Sequence, residues 1–231
     1  MSRIILKISG EALKEKDETV NIEKLDIIYQ TIKLLKYEHK IAIVIGGGNF
    51  FRGREHADIE EVTASTIGML GTVMNALYIK DYLERKNLGV IITTPFNFPG
   101  LICDYTNRDL KKGYDDGKII IFGGGIGKSG FSTDSGIVLA SEKLEADLII
   151  KMTNVDGVYD SDPKCNKAAI KFDKISFDEL LERDLKIMDT FAIKKCKEKN
   201  IKILVINFND YININKYFSG EKLGTVIGDR K

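Results

Sequence analysis

At 231 residues, with 43% hydrophobic and 30% charged side chains, the chain can form one large α/β domain or two closely packed lobes around a sizeable core. Its 35 basic residues nearly balance 34 acidic ones, a net charge of +1, which gives no global attraction to nucleic acid or to an anionic membrane. The three cysteines, Cys103, Cys165 and Cys196, are far apart and lack histidine neighbours at metal spacing, which argues against a zinc site and for free thiols in a reducing compartment.

Arg3 to Ile8 reads as a strand, and Ser9-Gly10-Glu11 as a turn. From Ile22 to Glu38, residues Ile22, Leu25, Ile28, Tyr29, Ile32 and Leu35 share one face at helical spacing. Ile41 to Ile45 is the next strand, apolar without alternation and so buried on both faces. Ile59 to Lys86 reads as one long helix or two, with Met69, Val73, Leu77 and Leu83 inward, and Val90 to Thr93 as a strand ended by Pro95. A short helix, a strand at Ile119, a helix from Ser135 to Leu144 and a strand from Asp147 to Met152 follow. Asn154 to Tyr159 reads as a tight Asp-Gly hairpin turn. A capped helix at Ser176, a helix from Asp189 to Lys199, and strands at Ile203–Ile206 and Thr225–Ile227 complete the series. No segment is expected to supply the ~20 apolar residues of a membrane span, and the expected location is the cytoplasm.

Strands alternating with helices predict a mostly parallel sheet covered on both faces, with ligands outside the carboxyl ends of its strands. Two strands end there in glycine triplets, Gly46-Gly47-Gly48 and Gly123-Gly124-Gly125. Backbone free of side chains can take positive φ and bring amide N–H groups close to phosphates. Neither common nucleotide motif is present. A P-loop ending at Gly127-Lys128-Ser129 needs glycine where Phe122 stands, and G-x-G-x-x-G fails at Phe51 and at Lys128. Lys7 is a lone charge in an apolar strand just before Ser9-Gly10, a placement that favours a functional role. His39 and His56 are too isolated for acid–base work and read as exposed loop residues.

Four motifs occur in order: Lys7-Ile8-Ser9-Gly10-Glu11-Ala12-Leu13, Gly46 to Gly53, Gly125 to Ser135, and Lys151 to Pro163. In this order the sequence resembles the amino acid kinase superfamily, and within it the bacterial uridylate (UMP) kinase family, from about Arg3 to Thr225. Gly68-Met69-Leu70 with Asn75-Ala76-Leu77, and Leu185-Lys186-Ile187-Met188-Asp189, point to the uridylate branch. The resemblance implies a three-layer α/β/α sandwich of the carbamate kinase-like type, a single domain over 1–231. Residues 1–134 would form its acceptor lobe and 135–231 its ATP lobe. It implies transfer of the γ-phosphoryl group of Mg²⁺-bound ATP to UMP, giving UDP for pyrimidine nucleotide synthesis.

Such transfer needs charge screening and alignment more than covalent work. By resemblance, Lys7 would place a charge on the transferring group and Asp134 would orient Lys7 and help order Mg²⁺. Lys7, Ile8, Ser9, Gly10, Gly48, Arg52, Thr153, Tyr159 and Asp162 would hold ATP. Gly47, Ser65 and the loop Ile126, Gly127, Lys128, Ser129, Gly130, Phe131, Ser132 and Thr133 would hold UMP. Without the resemblance, Ser132 to Ser135 serves equally as a helix cap and Asp162-Pro163 as a turn.

Two departures stand out. Ser65 occupies the position of an aspartate that usually holds the uridine ribose. The basic stretch expected after Tyr105 is diluted to Thr106-Asn107-Arg108-Asp109-Leu110-Lys111-Lys112, which argues against activation by GTP. The resemblance further implies a homohexamer, a trimer of dimers, inhibited by UTP. Two alternatives stay open: another small-molecule kinase of the superfamily, or a nucleotide- or oxyanion-binding protein of the same fold without turnover.

Overall fold

The computed structural model describes residues 1–228 except positions 104 and 164; the side chain at position 54 is not described. Among the described residues eight strands form one sheet: β1 (Ser2–Ile8), β2 (His39–Ile45), β3 (Val90–Thr93), β4 (Ile119–Phe122), β5 (Leu148–Thr153), β6 (Lys174–Ile175), β7 (Lys202–Asn207) and β8 (Thr225–Ile227). Their order is β3-β4-β2-β1-β5-β7-β8-β6, and every neighbouring pair is parallel except β7 with β8. The helices are α1 (Ile22–Leu35), α2 (Glu61–Arg85), α3 (Asn107–Asp115), α4 (Thr133–Leu144), α5 (Phe177–Glu182), α6 (Thr190–Glu198) and α7 (Ile214–Phe218).

Alternation along each strand sends successive side chains to opposite faces, and both faces are apolar. Ile4, Leu6, Ile8, Ile41, Ile43 and Ile45 pack against Ile28 and Ile32 of α1, Ile79 and Leu83 of α2 and Ile214 of α7. Ile5, Ala42, Val44, Ile149 and Ile203 face Leu110 and Tyr114 of α3, Ile137 of α4, Phe177 of α5 and Ile193 of α6. The result is three layers, as predicted. Tyr114 lies fully inside and donates its hydroxyl to the Lys40 carbonyl at 2.9 Å; burial raises its pKa.

Several local expectations change. The helix from Ile22 stops at Leu35, and Ile22 itself is exposed, because the first residue lies outside the stripe that meets the sheet. The long segment is one unbroken helix, α2, despite Gly68 and Gly71. By length and composition α2 meets the requirement for crossing a membrane, with mean hydropathy 1.3 in its apolar window, against the expectation that no segment would. Its Ala76, Ile79, Tyr82 and Leu83 are buried in the core. The Asn154–Tyr159 hairpin is replaced by bends: Tyr159 bridges to Lys171, and Gly157 is not in the positive-φ region that a type I′ turn requires. Gly157 is needed for closeness instead, since a Cβ there would lie 2.6 Å from Thr225 Oγ1. His39 opens β2, half-buried and stacked on Phe218 at 4.3 Å, and desolvation lowers its pKa; His56 is exposed as expected.

Candidate active site

The carboxyl ends of β1, β2, β4 and β5 point to one edge of the sheet, where both glycine triplets lie. The two triplets work differently. No glycine of Gly46-Gly47-Gly48 takes a positive φ. These residues are small because neighbours crowd them: a Cβ on Gly47 would lie 2.5 Å from the Gly68 carbonyl of α2, and one on Gly46 would lie 2.9 Å from Gly10 N. In the second loop Gly124, Gly125, Gly127 and Gly130 all have positive φ, between 58° and 80°.

Asn75, fully buried on α2, fixes the first loop. Its Nδ2 donates to the Gly46 carbonyl and to Asn49 Oδ1, both at 2.7 Å, and Asn49 Nδ2 donates back to Asn75 Oδ1 at 2.9 Å. Thr72, one turn earlier, accepts the Gly124 N–H at 2.6 Å, so α2 holds both loops.

Between the loops lies a cavity of about 1080 Å³. Ser9, Gly48 and Arg52, expected to hold ATP, line it together with Gly47, Ser65, Gly130, Phe131, Ser132 and Thr133, expected to hold UMP. Arg52 is engaged there: its guanidinium forks onto Glu11 at 2.8 and 2.5 Å and reaches Glu55 at 3.1 Å, and the bond to Glu11 raises its pKa. Phe51 stacks on His56 at 4.7 Å along the same wall. The Gly130 N–H reaches Ser65 Oγ at 3.5 Å.

Other expected residues stand off the cavity. Ile8 is fully buried, and its carbonyl accepts the Gly46 N–H at 2.9 Å. Gly10 lies beneath the loops. Ile126, Gly127, Lys128 and Ser129 do not line the wall, and Gly127 is pressed on Pro95. Thr153 ends β5, Tyr159 donates its hydroxyl to Asp156 Oδ1 at 2.6 Å, and Asp162 is exposed with its carbonyl accepting from Cys165 and Asn166.

At the strand ends, Lys7 Nζ lies 3.3 Å from Asp134 Oδ1, with both side chains only 13% exposed. That oxygen has ion-pair proximity but no hydrogen bond of acceptable geometry. Ser132 caps α4 by accepting the Asp134 N–H at 3.0 Å. Capping and the ion pair therefore coexist at this turn.

The sequence reading missed two members of this cluster. Lys151 on β5 is the register partner of Lys7, and its ammonium donates to the Ile187 carbonyl. Burial, then repulsion by Lys7, lowers its pKa to about 8. Asp189 caps α6 through the Ala192 N–H at 2.7 Å and accepts the Ser132 hydroxyl at 2.6 Å; its own N–H donates to Asp134 Oδ2 at 3.3 Å. The signal for Lys151 was available: like Lys7, it is a lone charge in an apolar strand. Asp189 was marked by its place as a helix cap and as the last residue of the Leu185–Asp189 motif, though neither assigned it to the site.

A wall of glycine backbone, hydroxyls and Arg52 around a cavity open to solvent, with the Lys7–Asp134 pair at the adjoining strand end, suits a polyphosphate ligand. Known proteins agree with that chemistry. The amino acid kinase family model matches residues 2–207. The uridylate kinase of Fervidobacterium nodosum is 41% identical over 229 residues, covering 97% of each chain, and that of Thermosipho melanesiensis is 40% identical over 227 residues, with the same coverage. The crystal structure of UMP kinase from Bacillus anthracis superposes with a TM-score of 0.94 at 32% identity, covering 100% of this chain and 97% of its own. That of Ureaplasma parvum gives 0.92 at 31%, covering 99% of both.

Proposed function

Because the chain belongs to the amino acid kinase family, in its uridylate kinase branch, we propose that it is a UMP kinase, moving the γ-phosphoryl group of ATP to UMP. The observation that carries the mechanism is the Lys7–Asp134 pair at the mouth of β1, beside the glycine-walled cavity. Lys7 supplies a positive charge where two phosphates must approach, and Asp134, 3.3 Å away, keeps its ammonium aimed. Backbone amides of the Ser9–Gly10 turn and of the two glycine loops bind and align the phosphates, lowering the entropic part of the barrier.

Mg²⁺ fits this donor set. The unbonded Asp134 Oδ1 is the oxygen that would help hold it, with Asp189 close behind. When bound, the ion screens charge on the phosphate oxygens.

The acceptor lobe is residues 1–134 and the ATP lobe 135–231, with Thr153, Tyr159 and Asp162 on the ATP side. The chain assembles as a homohexamer, a reading taken from the family resemblance; the apolar stripe Val62, Leu70, Met74 and Tyr78, exposed along α2, supports self-association. UTP inhibits as a product-like ligand of the acceptor cavity, and GTP does not activate. The free thiols of Cys103, Cys165 and Cys196 suit a cytoplasmic location.

Coupled ADP release tests the reading with UMP, CMP, aspartate and isopentenyl phosphate as acceptors. UMP should be turned over far faster than the others. Equal or greater turnover of another acceptor, or none with any, would overturn it.

A further inference from the structure

Lys151 is the one lysine of the cluster without a carboxylate partner: among the described residues, no Asp or Glu oxygen lies within ion-pair distance of its ammonium. It enters the site from β5 in register with Lys7, so both stems leave the same face of the sheet toward α4 and α6. A half-buried lysine in the strand Leu148–Thr153 is costly unless its charge is used. Its hydrogen bond goes to the backbone carbonyl of Ile187, two residues before the α6 cap.

From there the contacts run without a gap. Asp189 N–H donates to Asp134 Oδ2 at 3.3 Å, and Asp134 Oδ1 faces Lys7 at 3.3 Å. The Asp189 carboxylate accepts the Ser132 hydroxyl at 2.6 Å, so the same segment fixes the start of α4. A hydrogen bond from an ammonium to a carbonyl is stronger than a neutral one, and suits the anchor of such a chain.

We propose that Lys151 is a positioning residue for the transfer reaction: its grip on Ile187 sets the Ile187–Asp189 backbone, which holds Asp134 against Lys7. This rests on the kinase reading for its catalytic consequence, but not for its structural one. Burial and Lys7 oppose the charge on Lys151, whereas Asp134 and Asp189 favour it. Lys151 does not touch the phosphates; it acts through the segment it holds.

The test uses the full chain with Lys151→Met and Lys151→Arg, read by hydrogen exchange without nucleotide and by steady-state kinetics with ATP and UMP. In Lys151→Met the amides of residues 187–192 should exchange about 10-fold faster. Its kcat should fall by about 10²-fold, with each KM within about 3-fold, as expected when catalytic groups shift by ~1 Å. Lys151→Arg, which keeps a charged donor, should recover most of both losses. Unchanged exchange in Lys151→Met, unchanged kcat, or a loss carried by KM would each overturn the proposal. If Lys151→Met fails to fold, Lys151→Gln carries the same two measurements. A wild-type chain inactive on UMP would overturn the kinase reading, while the exchange comparison would still decide the role of Lys151.

Discussion

Lys7 on β1 and Asp134 on α4 meet at 3.3 Å, each almost closed to solvent, although the chain between them builds half the sheet. A cation and an anion brought that close at a strand end are mutually dependent, since either alone would be a partly buried charge without a partner. Lys7→Ala should lower kcat by about 10²- to 10³-fold while nucleotide dissociation constants move only a few-fold. Asp134→Asn should act in the same direction. Steady-state kinetics beside equilibrium nucleotide binding check both; unchanged turnover would remove Lys7 from the mechanism.

Arg52 faces the cavity with its guanidinium already forked onto Glu11. A phosphate arriving there must compete with that carboxylate for the same planar donors. Although expected to hold ATP, Arg52 shares the cavity wall with Gly47 and Ser65 of the UMP set, so Arg52→Ala should raise the KM for UMP by about 10-fold with a smaller change in kcat. Glu11→Gln should lower that KM several-fold. Acceptor titrations at saturating ATP separate the two, and a raised KM in Glu11→Gln would show that Glu11 aims Arg52 instead of competing for it.

Asn75 is fully buried and satisfies Gly46 and Asn49 at once. Asn75→Ala leaves buried polar groups without partners and opens a small void. The expected loss of stability is about 2–3 kcal/mol, measured by denaturant unfolding.

Gly10 lies where the first turn meets the second strand's loop, and a Cβ there would lie 2.5 Å from Asn49 Oδ1 and 2.7 Å from the Gly46 carbonyl. Gly10→Ala must push these loops apart. Nucleotide affinity should fall together with thermal stability, whereas Gly100→Ala, at an open position with a strained φ of +76°, should affect stability alone. Calorimetric binding and melting curves on both variants make the comparison.

Lys151 has its pKa lowered to about 8 from an unfolded value of 10.5, chiefly by burial. Below pH 8 both states carry the proton and the cost of burying the charge is fully present. Between pH 8 and 10.5 the unfolded chain binds more protons, so this residue's contribution to stability rises with pH, by a total on the order of a few kcal/mol. Above 10.5 the cost is gone. Stability measured at pH 7.5 and pH 9.5 should therefore increase in wild type relative to Lys151→Met; a flat difference would mean that Lys151 titrates normally.

Much of the fold was legible because apolar runs of β-branched residues and helical stripes are local signals. The motifs also marked the cavity wall at Gly47, Gly48, Arg52, Ser65 and Thr133. Periodicity failed at Ile22, where the first residue of the helix is apolar yet lies outside the stripe that meets the sheet. It failed again at Asp156-Gly157, where the glycine makes room for Thr225 from the far end of the chain. No local pattern contains that neighbour.

The sequence by itself determined the strand and helix content, the two glycine loops and the family, because each is written in residue type and spacing. Only tertiary structure decided which charges meet. Register between β1 and β5 sets Lys151 beside Lys7, and packing of α4 on α6 sets Asp189 beside Asp134. Hydrogen bonds and ion pairs depend on distances between residues far apart in the chain, and those distances exist only once the sheet is paired and the helices are laid upon it.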